Sequence, residues 1–278
     1  MFNSLKFKVI LFGFIFTFFS SFGQSYFLGL FNSSIREALS ITHGQFGSIY
    51  ASATLCSSLL LIWVGKKIDD VNIFKFAFFV TILLSFACFF FSRITSVFLL
   101  FIAIFLMRFS GQGMMSHTAS TTISRYFTRT RGRALSISWF GLSSAEFIMP
   151  VLMVYLLTII DWQNLWLIFS ITVLIVLPIA SFLLIKNLNL DSRETNDENI
   201  KDIEIKQWKR REVIKDYRFY IISLNMLAMP WIFTGFAVFQ SFVQTSKGWG
   251  PYVIAQSFMS YSILSVLTLF LSGFLIDK

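Results

Sequence analysis

Eight runs of apolar residues succeed one another along the chain, separated by short polar breaks. They fall at Phe7 to Phe31, Gln45 to Val64, Phe74 to Ser92, Val97 to Ile123, Ala134 to Ile159, Leu165 to Ile185, Phe219 to Thr245 and Tyr252 to Gly273. About 20 apolar residues cross the ~30 Å hydrocarbon layer as a helix, the form in which one segment satisfies its own backbone groups there. The pattern therefore predicts an all-α, multi-pass membrane protein. The first run follows Lys6 and Lys8 as a signal peptide would, but it is too long and offers no A-x-A site around Ser20 to Ser25, so it reads as a retained helix.

Composition changes the picture only by excluding alternatives. Of 278 residues, 56% are hydrophobic and 13% charged, a balance that a soluble domain of this size could not hide in its core. The net charge of +9 comes from bases confined to short stretches between apolar runs, which membrane orientation explains and nucleic-acid binding does not require. With the N-terminus in the cytoplasm, nineteen Lys and Arg fall on the cytoplasmic side against Arg36, Arg93 and Lys247 outside. Short cytoplasmic loops carry such an excess, so both termini are expected inside the plasma (inner) membrane. Cys56 and Cys88 lie within apolar runs without CxxC spacing, and neither a metal site nor a disulfide is indicated. One long polar segment, Lys186 to Tyr217, divides six predicted helices from two. Its second half spaces Ile203, Trp208 and Ile214 among bases, as either a surface-lying amphipathic helix or a solvated linker would. The expected organisation is a six-helix bundle over residues 1–185, a cytoplasmic loop over 186–217, and the first two helices of a second bundle over 218–278.

Shifting the chain by 208 residues aligns Ser52 with Ser260, Ser57 with Ser265, Leu59 with Leu267, Leu61 with Leu269, Gly65 with Gly273, Ile68 with Ile276 and Asp69 with Asp277. Two spans thus end in G-x-x-I-D, the trace expected of a duplicated helical bundle whose copies share one orientation. Gly65-Lys66-Lys67-Ile68-Asp69 resembles the opening of the G-x-x-x-D-R-x-G-R-K loop of the major facilitator superfamily, and Gly273 to Lys278 resembles its second copy. Asp70 and Asn72 depart from that pattern. Arg108-Phe109-Ser110-Gly111-Gln112-Gly113, Arg131-Gly132-Arg133-Ala134 and Gly141 to Pro150 resemble the fourth and fifth helices of facilitators of the monocarboxylate or oxalate/formate type. The resemblance implies a conformational latch at Gly65, Asp69, Gly273 and Asp277. It also implies twelve helices, so that this sequence would be cut off after its eighth.

Arg108 is the most informative position, because a guanidinium at mid-membrane depth persists only when paired or facing water. It stands roughly 16 Å into its span, and Glu146 roughly 18 Å into the next from the opposite side, at about 1.5 Å per residue. Two readings stand. In one, the two form a buried ion pair that fixes helix packing. In the other, Arg108 anchors an anionic substrate through its planar fork of donors, with Glu146 as resting partner or proton carrier. Gln112, one turn beyond Arg108, is a second candidate contact. His117 falls on the opposite face and reads as a packed, hydrogen-bonded side chain rather than a proton relay. Ser20, Ser21, Gln24 and Ser25 share one side of the first span and either line a cavity or bond to a neighbouring helix. Asn225 near Pro230 is a further polar candidate, and Pro230 is expected to permit a gating bend.

These features point to a secondary transporter of a small solute, an organic anion such as a monocarboxylate, together with a co-transported proton or other ion. No GxxxxGK[ST] loop is present for ATP hydrolysis, and no cofactor is called for. A membrane-embedded enzyme would need a cluster of His, Asp or Glu at one interface, which two isolated His and one mid-membrane Glu do not supply. A non-transporting membrane scaffold is the other alternative, against which the Arg108 and Glu146 positions argue.

Overall fold

The computed structural model describes residues 4–127, 130–186 and 210–276, and every regular element among them is helical. Arg129, Asp277, Lys278 and the stretch 187–209 lie outside the described residues, and of the surface helix expected over Ile203 to Ile214 the part from Arg210 onward is described and is helical. Polar punctuation sets where the spans begin. Thr42 and Gln45 form a reciprocal capping box that starts α4 (His43–Val64). Asn72 accepts from the amides of Phe74 and Lys75 to start α5 (Ile73–Phe91). Ser96 does the same for α6 (Val97–Met107) through the Leu99 amide. Asp216 caps α11 (Tyr217–Val238), which follows the short α10 (Arg210–Lys215).

Among the described residues eight helices are long and apolar enough to cross a membrane, at the eight places the hydropathy pattern marks. Three of them differ from the expected uninterrupted rods. The first stops at α1 (Ser4–Ser20), tightens into a 3₁₀ turn over Ser21–Gly23, passes through an extended Gln24 (φ −79°, ψ 151°), and resumes as α2 (Ser25–Leu30) and α3 (Asn32–Leu39). The fourth changes after α6 into a π-helical stretch over Arg108–Met115 before continuing as α7 (Ser116–Tyr126). The seventh runs unbroken through Pro230 and is interrupted instead at Phe239, beyond which α12 (Gln240–Ser246) forms the outer turn.

Packing follows the placement of small residues. In lipid, helices approach closely where side chains are small, because van der Waals contact and interhelical hydrogen bonds replace the hydrophobic drive. Helix α8 (Arg131–Leu156) lies against α1, where a Cβ on Gly141 would stand 2.1 Å from the Phe14 carbonyl oxygen. On its other side α8 packs along α13 (Pro251–Ile276), where Ser136 donates to the Leu269 carbonyl at 2.7 Å and Ser143 meets Ser265 at 3.4 Å. Helices α5 and α9 (Trp162–Ile185) are joined by a reciprocal pair, Ser85 and Ser170 each donating to the other's carbonyl at 2.9 Å. Aromatic rings of Phe22, Phe27, Phe31, Phe91 and Phe169 close around fully buried Trp166. The phenylalanines thus include this interior cluster, others buried elsewhere such as Phe12, Phe16 and Phe46, and exposed positions such as Phe79, Phe98 and Phe182.

Gly141→Val is expected to lower stability by on the order of 3 kcal/mol, because its side chain must displace backbone. Gly235→Ala, with no atom within 4 Å of the added carbon, is expected to leave stability unchanged. Thermal unfolding of the purified protein in detergent checks both.

Candidate functional site

The break in the first span and the π-helical stretch of the fourth meet at the same level. Gly23 and Gly111 touch backbone to backbone: a Cβ on Gly23 would lie 2.3 Å from the Met107 carbonyl oxygen and 2.8 Å from the Gly111 Cα. That approach carries Arg108 to the interruption. The extended Gln24 ends the run of helical bonds, and the Gly23 carbonyl accepts from Arg108 Nη1 at 3.0 Å. The same nitrogen donates to Ser25 Oγ at 3.3 Å, and Ser25 Oγ in turn accepts from the Tyr50 hydroxyl at 2.9 Å. The guanidinium carbon stands 5.4 Å from the centroid of the Tyr50 ring, a cation–π contact worth more in a dry setting than in water.

Arg108 is 6% exposed, so its charge is withdrawn from solvent, yet its donors are only partly used. Nε has no hydrogen-bond partner. Beside the side chain lies a cavity of about 250 Å³ lined by Ser57, Ser58 and Leu61 from α4 and by Arg108, Gln112 and Gly113 from the π-helical stretch. A lone buried cation with unsatisfied donors, beside a space lined with hydroxyls and an amide, is suited to hold an anion.

Glu146 is equally withdrawn, at 7% exposure, but does not pair with Arg108. The faces differ from the sequence reading. Among the described residues no ion pair or hydrogen bond reaches its carboxyl group, whose electrostatic neighbours are Tyr26 of α2 and Tyr261 of α13. The Tyr26 hydroxyl beside it, and the Ser21 hydroxyl next to Tyr26, lack well-formed hydrogen bonds. The buried ion-pair reading is therefore corrected: Arg108 is turned toward Gly23 in the 3₁₀ turn, Ser25 at the start of α2 and Tyr50 of α4, and Glu146 toward Tyr26 farther along α2 and Tyr261 of α13. Gln112 joins Arg108 at the cavity, while Gln24 is the residue at which the first span opens. Asn225 is exposed on α11 and spends its amide on the Ile221 carbonyl at 2.9 Å, far from this arrangement in role.

At the end of α4, Gly65–Asp69 forms a 3₁₀ turn. Arg125 forms an ion pair with Asp69 and donates to the Ile68 carbonyl at 3.2 Å. His117 Nε2 bonds the Gly65 carbonyl oxygen at 2.9 Å, so the packed reading of this histidine fits its place. Asp69 thus ties its turn to the end of the fourth span. Gly273 lies against α8, where a Cβ would reach 2.2 Å from Ser136 Oγ. Sequence reasoning missed three contributors: Tyr50, Arg125 and the Gly23 carbonyl. Arg125 was visible as a base beside the G-x-x-I-D turn's level, whereas nothing in the composition of an aromatic-rich span separates Tyr50 from its neighbours. Among the described residues no group of His, Cys, Asp and Glu is placed to hold a metal ion, and Cys56 and Cys88 are unpaired.

The family model of the Major Facilitator Superfamily matches residues 13–278. The chain belongs to the major facilitator superfamily. No curated protein matches the sequence. Membership makes this chain a multi-pass secondary transporter that binds a small molecule, and it places the Arg108 cavity in a fold that works by exposing a midplane site to the two sides in turn. At the Arg108 cavity this facilitator has a discontinuous first span and a guanidinium that bonds the carbonyl freed by the interruption.

Ser25→Ala removes the acceptor shared by Arg108 and Tyr50 and leaves two buried donors unpaired. A loss of about 2 kcal/mol is expected, read as a lower unfolding midpoint in detergent, with Ser33→Ala as the control.

Proposed function

We propose that this facilitator transports a small organic anion, such as a monocarboxylate, held by the Arg108 guanidinium. The observation that carries the reading is the pairing of a buried, incompletely bonded guanidinium with a 250 Å³ cavity whose other polar walls are Ser57, Ser58 and Gln112. One fixed cation and several neutral donors suit one carboxylate: the planar fork fits its two oxygens, and the hydroxyls and amide complete its hydrogen bonds. The cavity has room for a substrate of a few heavy atoms.

Glu146 is the coupling residue in this reading. Its carboxyl group lies away from Arg108, where α2, α8 and α13 converge, so a proton taken up there acts on helix contacts rather than by direct competition for the guanidinium. An ionised carboxylate without a partner is costly in this setting, which favours the protonated form until water reaches it. The turn at Gly65 and Asp69, with Gly273 on the opposite helix, belongs to the latch that closes one end. The chain is proposed to lie in the plasma membrane with both termini cytoplasmic, on the distribution of Lys and Arg. Residues 1–185 form one six-helix bundle in this scheme, joined through 186–217 to the start of a second over 218–278.

Uptake of labelled small carboxylates into vesicles tests the reading. Arg108→Lys, which keeps the charge but loses the fork, is expected to cut uptake by roughly tenfold or more, about 1.4 kcal/mol of binding, and Arg108→Ala to abolish it. Glu146→Gln is expected to make uptake indifferent to an imposed proton gradient. Wild-type uptake in both Arg108 variants would overturn the anion-anchor assignment.

A further inference from the structure

The π-helical stretch separates two sets of contacts on one span. Upstream, at its first residue, Arg108 is fastened to Gly23 and Ser25. Downstream, His117 and Arg125 on α7 hold the Gly65–Asp69 turn, through the Gly65 carbonyl, the Ile68 carbonyl and the Asp69 carboxylate. Helix α4 forms the other side of the frame: it lines the cavity with Ser57, Ser58 and Leu61 and ends in that same turn. A ligand-facing residue and a docked turn are thus joined by an α-helix on one side and by a π-helical segment on the other.

A π-helical segment has a second register available. Its i→i+5 bonds are rarer than α-helical ones and occur mostly as short interruptions, frequently at functional sites. Passing from i→i+5 to i→i+4 bonding moves everything downstream by about one residue, roughly 100° of rotation and 1.5 Å of rise on α-helical geometry. Arg108 and its contacts at Gly23 need not move. His117 and Arg125 would turn away from the Gly65–Asp69 turn together.

The present register is held by contacts at its upstream end. Gly111 is seated on Gly23, with space for no Cβ between them, and Ser110 donates to the Leu106 carbonyl at 2.7 Å. Arg108 pins the first residue of the segment. In this register Arg108 and Gln112 line one cavity while His117 and Arg125 hold the turn.

We infer that the Arg108–Met115 segment is a two-register element that couples the state of Arg108 to docking of the Gly65–Asp69 turn, with His117 as the positioning residue that transmits it. The inference rests on Arg108 being the substrate anchor for its biological meaning, but the coupling is a property of the chain alone. An anion that draws on the guanidinium acts on the same element, and by reciprocity loosening the turn weakens the hold on the anion.

Hydrogen exchange of the full chain in detergent, with no anion substrate present, tests the coupling. The readout is the peptide covering residues 65–72, where the Asp70 amide donates to the Lys67 carbonyl at 3.1 Å. His117→Ala cuts the link directly, and Arg108→Met acts from a residue that makes no hydrogen bond to the turn. Both are expected to speed exchange there by about fivefold or more, and the double variant to exceed the faster single variant only slightly, since both act through one element. Gly111→Ala, which pushes the segment off Gly23, is expected to do the same should Arg108→Met fail to fold, and Gly235→Ala is expected to change nothing. Wild-type exchange in folded Arg108→Met or in Gly111→Ala, with fast exchange in His117→Ala, would overturn the inference. Because no substrate enters the measurement, a failed uptake assay and a failed exchange assay strike separate claims.

Discussion

One buried positive charge organises the centre of this molecule. Keeping the Arg108 guanidinium in an apolar layer is costly unless acceptors are brought to it, and a regular helix has none to spare because each carbonyl is used within its own helix. The first span solves this by stopping. Its 3₁₀ turn and the extended Gln24 free the Gly23 carbonyl, Ser25 adds a hydroxyl, and Tyr50 offers both a ring face and a donor for that hydroxyl. The glycines serve the same junction, since Gly23 and Gly111 let the fourth span come within backbone contact of the first where Arg108 bonds the Gly23 carbonyl. An interruption in one helix, a change of helical type in another and two glycines meet at one charge.

The site is also unfinished in a useful way. Had the guanidinium met enough acceptors, it would be a structural group with no task. Instead Nη1 carries the anchoring bonds while Nε remains unpartnered next to a polar-walled space. A positive group pre-positioned by the protein costs a ligand little reorganisation, and the field it exerts is stronger where water is sparse.

The sequence carried the number and placement of the spans almost completely, because each is a run of apolar residues bounded by polar punctuation such as Thr42, Asn72 and Ser96. The intramembrane positions of Arg108 and Glu146 marked them as groups to be withdrawn from lipid, while the packed place of His117 comes from its bond to the Gly65 carbonyl and not from the ideal wheel that suggested it. What periodicity could not carry was the departure from periodicity. Gln24 looks like one polar residue on a serine face; its extended backbone is imposed by the acceptor that Arg108 requires. The i→i+5 stretch begins at Arg108 and shifts every later face, so an ideal wheel misplaces residues beyond it. The expected Arg108 and Glu146 pair failed for a related reason: depth along a helix says nothing of which neighbour a side chain meets. Pro230 leaves α11 unbroken because a neighbouring turn can absorb a missing donor, and the interruption falls at Phe239, which bears no local signature.

The seam between α8 and α13 has a mechanical consequence. Ser136, Ser143, Ser265 and Gly273 meet there and Gly132 lies under Gly273, but large side chains cross it too: the Phe140 and Phe270 rings stand 6.3 Å apart, and the Arg133 guanidinium carbon 4.8 Å from the centre of the Phe274 ring. Long knobs seated in deep holes must climb out before two helices can shift, and each withdrawal adds to a barrier. The serine hydrogen bonds can be exchanged one carbonyl for the next, but the rings of Phe270 and Phe274 must first leave Phe140 and Arg133, so those two rings set the pace of any sliding of α13 along α8 while α8 stays fastened to α1 at Gly141.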